Sequence, residues 1–273
     1  MAAADLMVVI VAVILQTINN IYLFAHFLLI TPICAVIDVL RAITMDCSVW
    51  FTVAFTSDRG IAICCQKLRE RYCTERVATK VIATVGALSC VRCVPLYFAV
   101  EPYVIINNIP WRCVEAAKYY TASAWKIYEI LESVTTPLLP ICFVLLFNAL
   151  TIKHILAANR VRRGLRKSLE NQKDAEVESR RKSMILLFGL SANFILLWMP
   201  YIVHSVNWQT ENYFYIDRSW STPIYILQQL GSLFRYLSIC TNTCIYGLTQ
   251  RKFREELKSG AKYLFTLNGR ICN

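Results

Sequence analysis

The chain has 273 residues, of which 56% are hydrophobic and 17% are charged, and its formal net charge at pH 7 is +11. Ordinary soluble domains carry about 25% charged residues, whereas three long runs of this chain, 6–37, 133–152 and 183–210, hold no Asp, Glu, Lys or Arg. A bilayer core needs about 20 apolar residues per helix, so these runs exclude a soluble protein and indicate a polytopic membrane protein.

Six segments are long and apolar enough to cross a bilayer as helices. They lie at residues 2–22, 31–65, 77–99, 126–157, 182–206 and 222–247. After them, residues 249–261 have apolar side chains four apart on a basic background, which predicts a short amphipathic helix on the membrane surface. The segments are too long, and alternate too little, to be barrel strands. The sequence therefore predicts an all-α fold, with one transmembrane helix bundle over residues 1–273.

Basic residues are concentrated in the loops on one side of the predicted bundle. The segments 66–80, 153–182 and 251–273 hold five, ten and six of the 29 Lys and Arg residues. By the positive-inside rule, these segments are cytoplasmic. Most of the positive charge is thus expected to face anionic membrane lipid, and it gives no reason to expect a nucleic-acid partner.

Twelve cysteines occur in the chain, and most lie inside the predicted spans or on the cytoplasmic side, where thiols stay reduced. Cys34 and Cys113 alone are predicted to face the outer, oxidising compartment. With just two candidates there, we predict a disulfide between them. The alternative is two free thiols.

Short motifs follow one another along the chain in a fixed order. They are Asp5 in the first span, Cys34 at the outer start of the second, Asp58-Arg59-Gly60 at its inner end, Leu197-Trp198-Met199-Pro200 in the fifth, and Asn242-Thr243-Cys244-Ile245-Tyr246 in the last. Each motif alone is weak, but the ordered set closely resembles the rhodopsin-like (class A) G-protein-coupled receptors. Gly60 and Thr243 depart from that family's pattern, which usually has Tyr and Pro at these two places.

The resemblance implies a seven-helix receptor fold in which the six spans correspond to helices two to seven. On this interpretation the chain begins inside helix two and lacks the first helix. We expect a multi-pass protein destined for the plasma membrane, and we expect the form without a first helix to be retained in the endoplasmic reticulum. The sequence around helices five and seven suggests an orphan branch that senses peptides or amino acids.

Within that family, a buried Asp on helix two forms part of a sodium pocket. The resemblance assigns this pocket to Asp5, Ser48, Ser238 and Asn242. An ionisable group inside a bilayer is costly by at least ~2.5 kcal/mol unless it has a partner. A neutral, hydrogen-bonded Asp5 is the alternative. Apart from an allosteric sodium ion, no cofactor or metal is predicted.

The resemblance also implies residues for G-protein coupling and for the conformational switch, namely Asp58, Arg59, Phe194 and Tyr246, with Trp198 beside Phe194 on one helix face. Arg59 would be held in the resting state and released to meet the α subunit of a heterotrimeric G protein. The alternative for Arg59 is a snorkelling side chain at the membrane interface. For Phe194 and Trp198 the alternative is that the two rings only pack in the core.

Three charged residues, Arg41, Glu132 and Arg235, are predicted to meet at one level in the outer half of the bundle. An Arg fork binds a carboxylate with two hydrogen bonds, and Glu132 could receive an ammonium. Aromatic surface would come from the sixth receptor helix, with Trp198, Tyr201 and His204. These residues predict a site for an extracellular zwitterion such as an aromatic amino acid, or for the end of a peptide. Mutual neutralisation of the charges, including a pair between Asp38 and Arg41 three residues apart on one helix, is the alternative.

No enzymatic constellation occurs, since the chain has no nucleotide-binding glycine loop, nucleophile elbow or His/Glu metal pair. The sequence therefore favours a receptor that converts ligand binding into G-protein activation through a population shift between two helix packings. One alternative is a six-span channel or transporter, although its usual signatures are missing from the sequence. The other is a truncated receptor product that does not signal alone and survives by forming a receptor dimer.

Overall fold

The molecule is mostly helical over the residues that the structure, a computed structural model, describes. These are residues 2–15, 26–64, 66–165, 174–210, 222–249, 254–255 and 258–260. The predominance of helix agrees with the predicted helical bundle. Most of the surface helix predicted at 249–261 lies outside the described residues and stays a prediction.

The described residues form nine α-helices and one β-hairpin. The α-helices are α1 (Ala2–Val8), α2 (Thr31–Cys64), α3 (Gln66–Tyr72), α4 (Glu75–Cys93), α5 (Ala117–Thr121), α6 (Ser123–Ser133), α7 (Leu139–Leu165), α8 (Asp174–Thr210) and α9 (Pro223–Thr249). Residues 9–15 continue α1 as a π-helix. A π-helical turn, Val134–Leu138, joins α6 to α7. Turns of 3₁₀-helix precede α2 at His26–Leu29 and follow α4 at Val94–Ala99.

At least three stretches have the length and hydropathy of membrane-spanning helices. They are Glu75–Ala99, Ser123–Ala158 and Met184–Asn207. Residues Ala3–Leu15 form a shorter apolar helix, and α2 is 34 residues long but carries several charged side chains. These helices support a membrane-spanning chain, while the boundaries of the six predicted spans stay predictions.

Sequence signals explain where α4 begins and ends. The hydroxyl of Thr74 accepts a hydrogen bond from the amide of Val77 at 3.4 Å, which satisfies one of the free amides at a helix start. Glu75 in the first turn adds a favourable charge at the positive end of the helix dipole. At the other end, Pro95 follows directly after Val94 and disfavours continued α-helix.

An antiparallel hairpin forms in the outer loop between α4 and α5. Strand β1 (Val100–Ile106) pairs with β2 (Ile109–Glu115), and the two-residue turn Asn107–Asn108 has φ angles of 51° and 61°. Both values lie in the left-handed region, which Asn tolerates and which type I′ hairpin turns require. This hairpin was not predicted from the sequence.

Three contacts fasten the hairpin to the outer end of α2. Cys113 is joined to Cys34 by the predicted disulfide. The hydroxyl of Thr31 donates to the carbonyl oxygen of Arg112 at 2.8 Å, and Ile30 forms an isolated bridge with Trp111. The hairpin is thereby held over the end of the helix that carries Arg41.

Helices α8 and α9 form the most extensive helix pair of the described chain. Their backbones come close at Gly231, where an added Cβ would lie 3.0 Å from the Cα and 3.2 Å from the backbone nitrogen of Tyr201. Glycine is needed here because any side chain would separate the two helices. This close approach lies one residue after Pro200, which interrupts the hydrogen-bond ladder of α8.

Two clusters of buried side chains mark the core. Val49, Val53, Val144, Phe194 and Trp198 pack α2 against α7 and α8. Val8, Ala12, Met45 and Ile239 pack α1 and its π-helical continuation against α2 and α9. Together the two clusters fix the relative positions of the helices that carry the predicted site residues.

Candidate functional site

Charged and aromatic side chains predicted to bind ligand meet in the outer half of the helix bundle. Glu132 lies within electrostatic range of Arg41 and Tyr201, and Tyr201 also lies within that range of Arg235. These residues belong to α2, α6, α8 and α9. The structure therefore brings the three charged residues of the sequence prediction to one site.

Arg235 is held against the aromatic residues of α8. Its guanidinium carbon lies 3.9 Å from the ring centre of Tyr201 and 6.0 Å from that of Trp198. Nη2 donates to the hydroxyl of Ser232 at 3.3 Å, whereas Nε is buried with no hydrogen-bond partner. The aromatic face stabilises the cation, and the unsatisfied donor can still bind an acceptor such as a carboxylate.

Arg41 has a partner on its own helix. Its Nε lies 3.5 Å from Oδ1 of Asp38, and that nitrogen makes no hydrogen bond of good geometry. Asp38 thus neutralises part of the charge, as the alternative interpretation expected, yet Arg41 retains donor capacity. Glu132, and Glu129 on the same helix, add further negative charge within electrostatic range of Tyr201.

His204 lies on α8 beyond Tyr201, toward the outer side. It is buried, with 9% of its surface exposed, and it lies within electrostatic range of Arg235. His204 therefore borders the same charged site as Tyr201, which lies three residues earlier on the same helix.

Phe194 and Trp198 lie below this site and are almost completely buried. Their ring centres are 5.3 Å apart, and the Tyr201 ring stands edge-on to Trp198 at 5.8 Å. The same rings pack against Val49 and Val144 of α2 and α7. The predicted switch residues thus connect the charged site to the core.

A second polar site lies near the middle of the bundle. Oδ1 of Asp5 accepts a hydrogen bond from the hydroxyl of Ser48 at 2.7 Å. The other carboxylate oxygen of Asp5 and the hydroxyl of Ser238 are buried with no hydrogen-bond partner. Asn242, also buried, lies one turn further along α9 from Ser238. Unpartnered carboxylate and hydroxyl oxygens are the kind of ligand that a hard cation takes, and a sodium ion shared by these residues stays a prediction from the resemblance.

Asn193 and Thr241 extend this second site, and the sequence analysis missed both. The amide nitrogen of Asn193 donates to Oδ1 of Asn242 and to the carbonyl oxygen of Ser238, each at 3.2 Å. The hydroxyl of Thr241 donates to Oδ1 of Asn193 at 2.8 Å. A polar residue inside a charge-free span was the available signal, because such side chains hydrogen-bond across helices.

Arg59 lies at the cytoplasmic end of α2. Its Nη2 lies 2.8 Å from Oδ2 of Asp58, and its guanidinium carbon lies 5.2 Å from the ring centre of Phe55. Phe55 in turn packs beside Leu186 and Leu190 of α8. Arg59 is therefore held by residues of its own helix, next to a contact with α8. The side chain of Tyr246 lies outside the described part of the chain.

Cys73 lies in the cytoplasmic connection between α3 and α4. Its thiol donates a hydrogen bond to the carbonyl oxygen of Asp58 at 3.6 Å. Burial, followed by the interaction with Asp58, raises the pKa of this thiol to about 11. The connection is thus fastened to the end of α2 that carries Arg59.

Comparison with known families identifies the architecture. Residues 1–246, which are most of the chain, match the family described as "7 transmembrane receptor (rhodopsin family)". The chain belongs to the rhodopsin family of seven-transmembrane receptors. Its members are multi-pass membrane receptors and not enzymes, so the channel or transporter alternative is set aside.

Half of the chain is similar in sequence to two curated receptors. The B2 bradykinin receptor of Cavia porcellus is 21% identical over 138 residues, and that of Oryctolagus cuniculus is 22% identical over 139 residues. Each match covers 50% of this chain and 34% or 35% of the relative. The chain thus matches about a third of the length of these relatives.

Proposed function

We propose that this rhodopsin-family protein is a G-protein-coupled receptor for an extracellular ligand that presents a carboxylate, either a peptide end or a zwitterionic amino acid. The ligand would bind between Arg41 and Arg235, and the response would pass through the bundle to Arg59. The working location would be the plasma membrane, and the partners would be the ligand and a heterotrimeric G protein.

The observation that carries this proposal is the unsatisfied cation in the outer site. Nε of Arg235 is buried without a hydrogen-bond partner, although the guanidinium already contacts the Tyr201 ring. A buried donor without an acceptor is unfavourable. A ligand carboxylate would supply the acceptor and the countercharge at once.

The similarity to B2 bradykinin receptors favours a peptide over a smaller ligand. Bradykinin is a peptide, and a peptide offers both a terminal carboxylate and an amine. Glu132 supplies an anion that could meet the amine or a basic side chain. A biogenic amine fits less well, because Arg41 would repel its ammonium group.

Transmission to the cytoplasmic side would use two features of the bundle. The aromatic contact from Tyr201 through Trp198 to Phe194 runs from the ligand site into the core. At the inner end, the contact of Arg59 with Asp58 would break when the G protein binds. Bound sodium at Asp5 would favour the resting packing, since ligands shift populations toward the state they bind best.

Direct binding tests the ligand site. Receptor-containing nanodiscs would be titrated with bradykinin as the free acid and with the same peptide carrying a C-terminal amide. We expect the free acid to bind more tightly, and we expect Arg41→Gln or Arg235→Gln to remove this preference. Loss of a buried charge pair costs about 2–5 kcal/mol in binding.

The matched control for the two arginine substitutions replaces an arginine outside the proposed ligand site. Arg76 is exposed at the start of α4, so Arg76→Gln should leave binding of both peptides unchanged. A small-ligand arm with phenylalanine and its amide distinguishes an amino acid from a peptide end. Equal affinity for acid and amide in both pairs would contradict the proposed carboxylate site.

A further inference from the structure

An ion pair outside the ligand site lies in the interior of the bundle. Asp46, on α2, has 3% of its surface exposed, and its Oδ1 pairs with Nη2 of Arg92 from α4 at 2.5 Å. Its other oxygen accepts from the hydroxyl of Ser89 at 2.6 Å. The hydroxyl of Thr136 completes the shell at 3.4 Å from Oδ1.

Arg92 also contacts α6 and the π-helical turn that follows α6. Its Nη1 donates to the hydroxyl of Thr135 at 3.3 Å, and its carbonyl oxygen accepts from the hydroxyl of Tyr128 at 3.1 Å. Asp46 and Arg92 therefore contact adjacent residues, Thr135 and Thr136, from two different helices. Both threonines belong to the π-helical turn Val134–Leu138.

The π turn sets the direction of the helix segment that precedes it. The amide of Leu139 donates to the carbonyl oxygen of Val134, which is the five-residue spacing of a π-helix, and Pro137 lies inside the turn. Such a turn inserts one residue relative to α-helix and is often found at functional sites. It therefore changes the face of the helix on which Glu132 lies, two residues before the turn.

Glu132 connects the ion pair to the outer site. It lies within electrostatic range of Arg92 as well as of Arg41. Charged residues inside a membrane are costly and mark functional positions by default. Two apolar side chains could pack these helices together at less cost, so packing alone gives no reason for a charged pair here.

We propose that the Asp46–Arg92 pair is a positioning element that holds the π turn so that Glu132 faces Arg41 in the ligand site. This inference rests on the proposed function in one respect, because the residue it positions belongs to the proposed ligand site. Neither Asp46 nor Arg92 needs to touch the ligand. The pair acts through Thr135 and Thr136.

The interaction between Glu132 and Arg41 provides the test, and it needs no ligand or G protein. Thermal unfolding of the receptor in nanodiscs would be measured for Arg41→Gln, Glu132→Gln and the double variant. The same series would be repeated with Asp46→Asn and Arg92→Gln together, which removes both charges and leaves neither buried charge alone.

In the native background we expect the two substitutions to be non-additive by about 2–4 °C in Tm, the shift that corresponds to a coupling of one kcal/mol in a chain of this size. In the neutral-pair background we expect the non-additivity to fall at least fourfold. A merely stabilising pair would lower every Tm and leave the non-additivity unchanged. That result, or additivity in both backgrounds, would overturn the proposal.

A second measurement covers the case in which the neutral pair does not fold. Arg92→Lys keeps the charge but lacks the planar fork that reaches Asp46 and Thr135 together. We expect peptides spanning 128–139 to exchange amide hydrogen at least threefold faster in this variant, with peptides of α9 unchanged. Arg76→Gln, on the same helix, should change neither.

Unchanged exchange over 128–139 in Arg92→Lys would overturn the positioning role. Failure of the proposed function would appear in a different measurement, as equal binding of the free-acid and amidated peptides to the wild-type receptor. The anchoring of the π turn is decided by unfolding and hydrogen exchange alone, whichever ligand the receptor binds.

Discussion

The guanidinium carbon of Arg235 lies 3.9 Å from the ring centre of Tyr201, across the interface between α9 and α8. One residue before Tyr201 is Pro200, and four residues before Arg235 is Gly231, where the two backbones lie close together. The predicted ligand residue Arg235 and the close helix contact at Gly231 are therefore about one helical turn apart. Arg235 therefore lies close to Pro200, which interrupts the hydrogen-bond ladder of α8.

The Arg235–Tyr201 contact should contribute measurably to stability. We expect Arg235→Gln and Tyr201→Leu to be non-additive in the free energy of unfolding by about 1–2 kcal/mol, the range for a desolvated cation over an aromatic ring. Tyr201→Phe keeps the ring and should retain most of the coupling. Additive effects of the two substitutions would show that the stacking contributes nothing.

The close approach at Gly231 predicts a large effect of a small substitution. Gly231→Ala places a Cβ 3.0 Å from the backbone of Tyr201, so α8 and α9 must separate, at a cost of about 1–3 kcal/mol. Gly86→Ala is the matched control, since nothing lies within 4 Å of its Cβ and alanine favours helix by roughly 0.5–1 kcal/mol. The two variants should shift Tm in opposite directions, and equal shifts would contradict the packing.

Sodium binding at Asp5 is testable without a ligand. Sodium chloride, compared with potassium chloride at the same concentration, should stabilise the wild type by about 1.4 kcal/mol at roughly tenfold the dissociation constant. Asp5→Asn should remove this difference, because it removes the charged oxygen that has no other partner. Ser57→Ala, a hydroxyl near the cytoplasmic end of the same helix as Ser48, should preserve it. An Asp5→Asn variant that kept the sodium effect would exclude this site.

Cys73 should react slowly with alkylating reagents. Only the thiolate reacts, and the pKa of this thiol is raised from 9.0 to about 11 by burial. At neutral pH the alkylation rate should be roughly 100-fold below that of an unperturbed thiol, since each pKa unit changes the thiolate fraction tenfold. The rate should keep rising with pH up to about 11. A plateau near pH 9 would show that desolvation and the contact with Asp58 do not raise the pKa of this thiol.

Charge distribution made the helical membrane architecture predictable, because residues 133–152 and 183–210 contain no charge at all. The disulfide was predictable for a similar reason, since the positive-inside rule left Cys34 and Cys113 as the two outward-facing cysteines. The hairpin was missed although Asn107–Asn108 is a type I′ turn signal. Its strands are mostly exposed, and they lack the alternation that marks a half-buried strand.

Pairings between helices were harder to predict, because they depend on which helices are neighbours. Arg92 was visible in the sequence as a charge inside a span, but nothing in the sequence alone shows that Asp46 faces it. Asn193 likewise stood out as a polar residue inside a charge-free span, but nothing in the sequence alone shows that it contacts α9. The convergence of Arg41, Glu132 and Arg235 was predictable because the resemblance fixed the level of each residue on its helix.

The most direct test of the account measures nucleotide exchange on a G-protein α subunit in nanodiscs that contain the receptor. Free-acid bradykinin should accelerate exchange, and the amidated peptide should do so less. Arg59→Ala should abolish the acceleration while peptide binding is retained, because Arg59 lies at the cytoplasmic end of α2, far from the ligand site. Acceleration that is equal for both peptides, or that survives in Arg59→Ala, would contradict the claim that a carboxylate ligand acts through Arg59.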